Sequence, residues 1–247
     1  MRLSFRSLLV FGWCSVAAAA GSAPGVFSVD DYGGVGDGRT LNTAAFSAAV
    51  SAAHAYYAAS GAPGTVLAPS GTYLSGQIAL QSGVTLSVAP AARLLASANQ
   101  SHYPSASSAW AFIYALGAVD IGVTGGGVVD GNFQQYITGF NESLDQYLWK
   151  GWPDCPGGGE CRPRLALLAN SQRIAVSNVS FIGSPDWTFH LLNCSYVHVY
   201  NWTQHGDERW PNNDVRGRRR RLSHYRHPST HPRHPLPLAS CIHRAGH

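Results

Sequence analysis

Residues Ile174-Ala175-Val176-Ser177-Asn178-Val179 are matched 23 residues later by Val197-His198-Val199-Tyr200-Asn201-Trp202. In both copies apolar residues alternate with other residue types, and an asparagine follows at the fifth position. Strict alternation over a few residues is typical of a β-strand. The segment Ile121-Gly122-Val123-Thr124-Gly125 shows the same alternation further upstream. A repeat in the low twenties that is built of short strands predicts a solenoid whose coils stack their apolar residues.

Two classes of solenoid share this repeat length. Leucine-rich repeats have a Leu-x-x-Leu-x-Leu frame, which is absent here, and valine and isoleucine dominate the repeated positions instead. The sequence therefore predicts an all-β fold, a parallel β-helix. Asn178 and Asn201 are expected to lie one above the other at a turn, where stacked side-chain amides can hydrogen-bond along the column.

The N-terminal part of this solenoid is predicted to carry a capping helix. A strand-like run, Val26–Tyr32, leads into the glycine-rich segment 33–38, where Asp37 is expected to bond its own backbone. A phosphate-binding loop is disfavoured because the glycine spacing is wrong and no lysine follows. Asn42 is expected to cap a helix that runs to Tyr57 and covers the open first coil. Its apolar face is formed at helical spacing by Phe46, Val50 and Ala53.

The first residues predict secretion. Arg2 and Arg6 precede a short apolar run, and small residues follow, so residues 1–21 are interpreted as a signal peptide. The apolar run is too short to span a bilayer. We therefore expect a secreted, extracellular protein, located in the cell wall. Five Asn-x-Ser/Thr sites for N-glycosylation agree with secretion: Asn99, Asn141, Asn178, Asn193 and Asn201.

Cys155 and Cys161 flank the flexible segment Pro156-Gly157-Gly158-Gly159. In an oxidising compartment these two cysteines can close a local disulfide. A metal clip is the alternative, and it is disfavoured because no histidine is nearby. The sequence predicts no metal site and no cofactor.

The charge distribution changes at Val215. Eight of the seventeen lysine and arginine residues follow Asp214, whereas all thirteen acidic residues lie at or before it. The sequence thus predicts one acidic domain over residues 26–214 and a disordered basic tail over 215–247, rich in histidine, proline and arginine. So abrupt a change is typical of a frame-shifted or truncated gene copy. A solvated tail without function and a polyanion-binding arm are the alternatives.

Several motifs follow one another along the chain: Val29–Gly38, Gly125–Gly131, Arg162-Pro163-Arg164, Ser184–His190, Cys194 and Pro211-Asn212-Asn213-Asp214. In this order and spacing they resemble the polygalacturonase family of glycoside hydrolases. The entry motif, with the helix that follows it, is shared with other pectin-acting β-helix proteins, whereas the motifs from Arg162 onward are more specific.

This resemblance implies a right-handed parallel β-helix that hydrolyses α-1,4-galacturonan in pectin with inversion. The family uses three aspartates, one of them in an Asn-x-Asp motif that Asn212-Asn213-Asp214 matches. By this resemblance Asp214 helps to activate a water molecule, and Asn212 and Asn213 bind substrate. An inverting hydrolase needs a carboxylic acid and a carboxylate ~6.5–9.5 Å apart, and stacked coils offer side chains at levels ~4.8 Å apart.

The rest of the family's catalytic set is missing from this sequence. No adjacent Asp pair, Gly-His-Gly or Arg-x-Lys follows Asp214, so the chain as written is expected to have little or no hydrolytic activity. Its expected partner is an acidic polysaccharide, with neither nucleic acid nor membrane involved, and the protein is expected to be a monomer. His190 is interpreted as structural, His205 as a turn residue, and Asp186 as ordering the turn beside Trp187.

Two other functions are compatible with the sequence. A non-catalytic pectin-binding β-helix would use the coil surface and the basic tail. A polysaccharide lyase would share only the entry motif, and it would need a base that abstracts a proton, commonly together with Ca²⁺. No acidic cluster suited to calcium is visible in the sequence.

Overall fold

The computed structural model describes residues 23–104, 110–149, 162–207 and 209–210, and the backbone of 215–225. Within this part the chain forms one α-helix, α1 (Thr43–Ser60), and a series of strands. No helix among these residues has the length and apolarity needed to cross a bilayer. The strands are β1 (Val26–Ser28), β2 (Asp37–Leu41), β3 (Gly64–Ala68), β4 (Gly71–Ser75), β5 (Ile78–Ala79), β6 (Val84–Val88), β7 (Ala92–Ala96), β8 (Ala111–Leu116), β9 (Val119–Thr124), β10 (Val128–Asp130), β11 (Ile137–Asn141), β12 (Gln146–Trp149), β13 (Arg164–Ala169), β14 (Gln172–Ser177), β15 (Ser180–Ile182), β16 (Phe189–Tyr200), β17 (Thr203–His205) and β18 (Val215–Tyr225).

The strands stack in three parallel columns, and from β5 onward each coil contributes one strand segment to each column. The first column contains β5, β8, β13 and the first part of β16. The second contains β1, β3, β6, β9, β14 and the later part of β16. The third contains β2, β4, β7, β10, β15 and β17. The result is a right-handed parallel β-helix, the handedness that connections between parallel strands favour.

The 23-residue repeat predicted from the sequence corresponds to one coil of the structure. Ile121, Ile174 and Val197 lie in register on neighbouring strands of the second column, and each is at most 2% exposed. Inward-facing positions of all three columns form one continuous apolar core. The predicted parallel β-helix is therefore confirmed, because coils in this register bury the same apolar positions at each level.

Asparagine side chains form two short ladders at the turns between columns. Asn201 Nδ2 donates to Asn178 Oδ1, as predicted. Asn193 Nδ2 donates to Asn170 Oδ1 over 2.8 Å, a second ladder at the preceding turn that the sequence analysis missed. All four residues have φ between 46° and 52°. Asparagine adopts this left-handed conformation more readily than most residues because its short side chain can bond locally.

We expect Asn178→Val to lower the free energy of unfolding by about 2–3 kcal/mol. The substitution removes the amide ladder and forces a β-branched residue into the left-handed region, which costs ~1–2 kcal/mol, while the lost hydrogen bond costs ~1 kcal/mol. Asn178→Gly is the matched control, because glycine adopts this φ freely. We expect its free energy of unfolding to fall by only about half as much. Urea unfolding followed by circular dichroism measures both, and equal losses would contradict the argument.

The glycosylation sites are accessible to different degrees. Asn99, Asn178, Asn193 and Asn201 are exposed, and Asn141 is half-buried. Because Asn193 and Asn201 use their Nδ2 atoms in the ladders, a glycan on either would be attached to a hydrogen-bonded amide. Glycosylation remains a prediction.

The predicted capping helix is present, but Asn42 does not cap it through its side chain. Asn42 Oδ1 instead accepts from Val35 N over 2.7 Å, and Nδ2 donates to Thr40 O over 2.7 Å. The side chain is buried in the entry turn, where these backbone groups need partners, so it is not available to the first turn of α1. The helix itself packs against β1, β3, β5 and β6 and buries the predicted Phe46 and Val50.

An ion pair between two coils also binds a tyrosine of the helix. Arg173 donates to both carboxylate oxygens of Asp120, over 2.6 and 2.8 Å, and Tyr57 Oη donates to the same carboxylate over 2.7 Å. These hydrogen bonds, chiefly those from Arg173, lower the pKa of Asp120 to about 2. In the entry turn, Asp37 bonds the backbone of Thr40 as predicted, and such bonds lower the pKa of Asp37 to about 2.

The backbone after Asp214 differs from the prediction of a disordered tail. Val215–Tyr225 form β18, which pairs in parallel with β16 and continues the stack, with several shifts of register. The open edge of β16 explains the difference, because backbone pairing along an unpaired edge does not require a particular side-chain pattern. Residues 226–247, the predicted signal peptide 1–21, Cys155 and Cys161 lie outside the described residues.

Candidate active site

The outer face of the first column is the candidate site. Phe189 and Leu191 of β16 point into the core, so His190 between them lies on the outer side. In register with His190 are Leu167 of β13 and, one coil further, Tyr114 of β8. We call this strip, together with the segment Ser184–Thr188 that leads into β16, the outer face of the first column.

The segment Ser184–Thr188 is held in place by hydrogen bonds. Ser184 Oγ donates to the backbone oxygen of Asp186 over 2.6 Å. Gln204 Nε2 donates to Thr188 Oγ1 over 3.0 Å. Asp186 lies in this turn beside Trp187, where its backbone oxygen accepts the hydrogen bond from Ser184, and its carboxylate lies 4.0 Å from Arg164 Nε. Its role in ordering the turn stays a prediction. The ring of Trp187 meets that of His190 edge-on, with 4.7 Å between centroids.

Arg164 begins β13, one coil before this segment. The centre of its guanidinium lies 4.9 Å from the centroid of the Trp187 ring, and its Nε lies 4.0 Å from Asp186 Oδ2. Burial lowers the pKa of Arg164, and the neighbouring Asp186 carboxylate acts in the opposite direction. A cation, a carboxylate, an indole and an imidazole thus meet on the outer face of the first column.

An aromatic cluster, which the sequence analysis missed, supports the site from one side. Its buried members are Tyr103, Trp110, Tyr136 and Trp210, and the hairpin β11–β12 packs against it. The guanidinium of Arg162, which is 2% exposed, lies 4.3 Å from the Trp149 ring and 5.1 Å from the Trp210 ring. Spacing alone gives no signal for such a cluster, because its residues come from segments far apart in sequence.

Trp210 joins this cluster to the candidate site. Its Nε1 donates to Pro185 O over 2.9 Å, so it holds the segment Ser184–Thr188 from behind. Burial raises the pKa of Tyr136 in the same cluster. Trp210 is the last residue described before Val215.

A second concave region lies on the outer side of the third column. This cleft has a volume of about 820 Å³ and is lined by charged residues from β7, β10 and the end of β17. Its arginines are paired with carboxylates, Arg93 with Asp130 and Arg209 with Asp207, the latter at 2.8 Å. His205 ends β17 and lines this cleft, so its interpretation as a turn residue is wrong.

Asn212, Asn213 and Asp214, the residues predicted to act on substrate, lie outside the described residues. The backbone after them is described: Val215 pairs with Phe189, and Arg216 with His190. The chain therefore enters the first column beside His190 directly after Asp214. Among the described residues no group of three or more His, Cys, Asp or Glu side chains is arranged to hold a metal ion.

Sequence comparisons relate the chain to pectin-acting proteins. Residues 26–108 match the family model described as "Rhamnogalacturonase A/epimerase, pectate lyase-like". A Vitis vinifera protein named "Probable polygalacturonase" is 30% identical over 224 residues, which cover 85% of this chain and 42% of the relative. An exo-poly-alpha-D-galacturonosidase of Dickeya chrysanthemi is 30% identical over 135 residues, covering 48% of this chain and 21% of the relative. The chain thus matches less than half the length of either relative.

Solved structures share the fold. An exopolygalacturonase from Thermotoga maritima superimposes with a TM-score of 0.59 at 22% identity, over 73% of this chain and 47% of that structure. A polygalacturonase from Erwinia carotovora gives a TM-score of 0.54 at 20% identity, over 82% of this chain and 54% of that structure. At these identities the likeness concerns the coil architecture alone.

Proposed function

We propose that this chain belongs to the polygalacturonase-related, pectin lyase-like β-helix proteins and acts on the galacturonan of pectin as a glycoside hydrolase. The substrate class comes from the names of its relatives. As part of this proposal we put the site on the outer face of the first column, beside the Ser184–Thr188 segment and the start of β18 at Val215. Asp214 is the carboxylate in this proposal.

The observation that carries the proposal is the pairing of Val215 with Phe189. Consecutive Cα atoms are ~3.8 Å apart, so Asp214 is tied to the start of this new rung. The proposal puts this carboxylate near Arg164, Trp187 and His190, which contact one another on the preceding coils. A polysaccharide chain lying along the stack would then meet one carboxylate and several hydrogen-bonding or stacking groups at successive levels.

In the proposed mechanism Asp214 helps to orient and deprotonate the attacking water, while Asn212 and Asn213 contact the sugar. Inverting hydrolysis also needs an acid on the opposite side of the scissile bond to protonate the leaving oxygen. No acidic residue follows Asp214 in the sequence. We therefore propose that the 247-residue chain binds galacturonan but hydrolyses it slowly or not at all.

The test is to incubate the purified 247-residue chain with polygalacturonic acid and measure reducing ends and binding in parallel. We expect binding with little or no release of reducing ends above a buffer control. Absence of binding would contradict the proposed substrate. Rapid release that Asp214→Asn abolishes would support the function and contradict the low activity. Unsaturated products would instead indicate a lyase.

A non-catalytic pectin-binding protein is the second candidate, and the basic strand β18 favours it. In this case the acidic polysaccharide would be bound by electrostatic attraction to the basic residues that follow Asp214. Binding that survives Asp214→Asn but disappears when residues 215–247 are deleted would favour this candidate over the hydrolase. We propose a secreted, extracellular location for both candidates.

A further inference from the structure

Arg164 differs from the other arginines whose contacts the structure describes. Arg173 and Arg209 each donate two hydrogen bonds to a carboxylate, and Arg162 is enclosed between two indole rings. Arg93 is paired with Asp130. The side chain of Arg164 is only 22% exposed, yet within the described part of the chain it makes no hydrogen bond, and its nearest carboxylate is 4.0 Å away.

Burying unbonded guanidinium donors destabilises the fold unless a ligand accepts hydrogen bonds from them. A guanidinium offers five N–H donors in a planar fork, and withdrawing such donors from water without partners opposes folding. The Nε of Arg164 is buried and unbonded among the described residues. The fork matches the two oxygens of a carboxylate, with which it can form a pair of parallel, charge-assisted hydrogen bonds.

The surroundings of Arg164 hold the fork in one orientation. Trp187 supports it by a cation–π contact, and His190 packs edge-on against the same indole. The backbone of β13 is tied to the adjacent loop, because Leu165 N donates to Trp187 O over 3.0 Å and Ala166 N donates to Thr188 O over 3.0 Å. Little conformational entropy remains to be lost when an anion binds, which favours affinity.

We propose that Arg164 binds the carboxylate of a uronate unit and thereby determines specificity for acidic over neutral or esterified polysaccharide. The inference rests on the proposed function, since it places this unit on the outer face of the first column beside the start of β18 at Val215. The Asp186 carboxylate lies 4.0 Å from Arg164 Nε, beyond hydrogen-bond distance, so it leaves the donors unoccupied. Trp187, which is half-buried, supplies an apolar surface for the sugar ring.

The test compares Arg164→Met with Arg209→Met in calorimetric titrations of the full chain with tri-galacturonic acid. Both variants lose one positive charge, but Arg209 is paired with Asp207 and lines the cleft beside the third column. We expect Arg164→Met to weaken binding at least about 10-fold, because a bidentate charged pair is lost. Arg209→Met should change the affinity less than about 2-fold. The methyl-esterified trimer should bind wild type and Arg164→Met alike.

Arg164→Lys keeps the charge and the stem but not the planar fork. It covers the case in which Arg164→Met fails to fold, as judged by circular dichroism, and we expect it to weaken binding about 3- to 10-fold. Unchanged affinity in either folded variant would overturn the inference, as would equal binding of the free acid and the ester by wild type. Failure of the two proposals is distinguishable. Binding of polygalacturonic acid by wild type together with unaltered binding in Arg164→Met leaves the proposed function and removes the inference, whereas absence of binding by wild type contradicts the proposed function itself.

Discussion

Replacing Trp210 by alanine is expected to lower the free energy of unfolding by about 3–5 kcal/mol, the usual cost of deleting a buried aromatic side chain. Trp210 is 2% exposed and contacts the rings of Phe133 and Trp149. Its loss also removes one aromatic partner of Arg162 and the hydrogen bond to Pro185 O. Urea unfolding followed by circular dichroism measures the change.

Trp210→Ala should also impair ligand binding. Because Trp210 holds the Ser184–Thr188 segment through Pro185 O, we expect binding of tri-galacturonic acid to weaken as well. Trp210→Phe is the matched control: it keeps a ring, loses the hydrogen bond, and should cost only about 1–2 kcal/mol. If the alanine variant unfolds at the same urea concentration as wild type, the cluster does not support this segment.

Phe181→Ala is expected to destabilise the solenoid by a similar amount, about 3–5 kcal/mol. Phe181 lies on β15 and is fully buried, and its ring packs edge-on against Phe189 at 5.8 Å and Trp202 at 6.0 Å. These rings belong to adjacent coils, so the cavity would separate levels whose stability depends on each other. Urea unfolding monitored by circular dichroism should show a lower midpoint.

Leu148→Ala provides the comparison for Phe181→Ala. Leu148 lies on the hairpin strand β12 and is 45% exposed, so its truncation should change stability by less than about 0.5 kcal/mol. If Phe181→Ala lowers the free energy of unfolding no more than Leu148→Ala does, the described packing of the coils is not what stabilises the protein.

The sequence predicted those features that repeat along the chain. A column such as Ile121, Ile174 and Val197 is visible because each coil needs the same apolar residue at the same place. The Asn178–Asn201 ladder was predictable for the same reason. Periodicity also predicted α1, since a helix that covers coils must show an apolar face.

Features formed once, by residues distant in sequence, were not predictable. The contact of Arg162 with Trp149 and Trp210 has no periodic signature, and neither has that of Arg164 with Trp187. Asn42 fits the pattern of a helix cap, but the unpaired backbone of the entry turn competes successfully for its amide. The strand β18 was missed because arginine-rich composition argues against a core, whereas pairing with an open edge needs only backbone. The role of Asp214 came from resemblance and stays a prediction.

The connection from the third column back to the first varies in length from coil to coil. It is short between Ile182 and Phe189, whereas between Asp130 and Arg164 it contains the whole hairpin β11–β12. Both connections return the chain to the same register. This corner is therefore where loops from related proteins can be grafted, or existing ones shortened, to reshape the border of the outer face of the first column while the hydrophobic stack keeps its spacing.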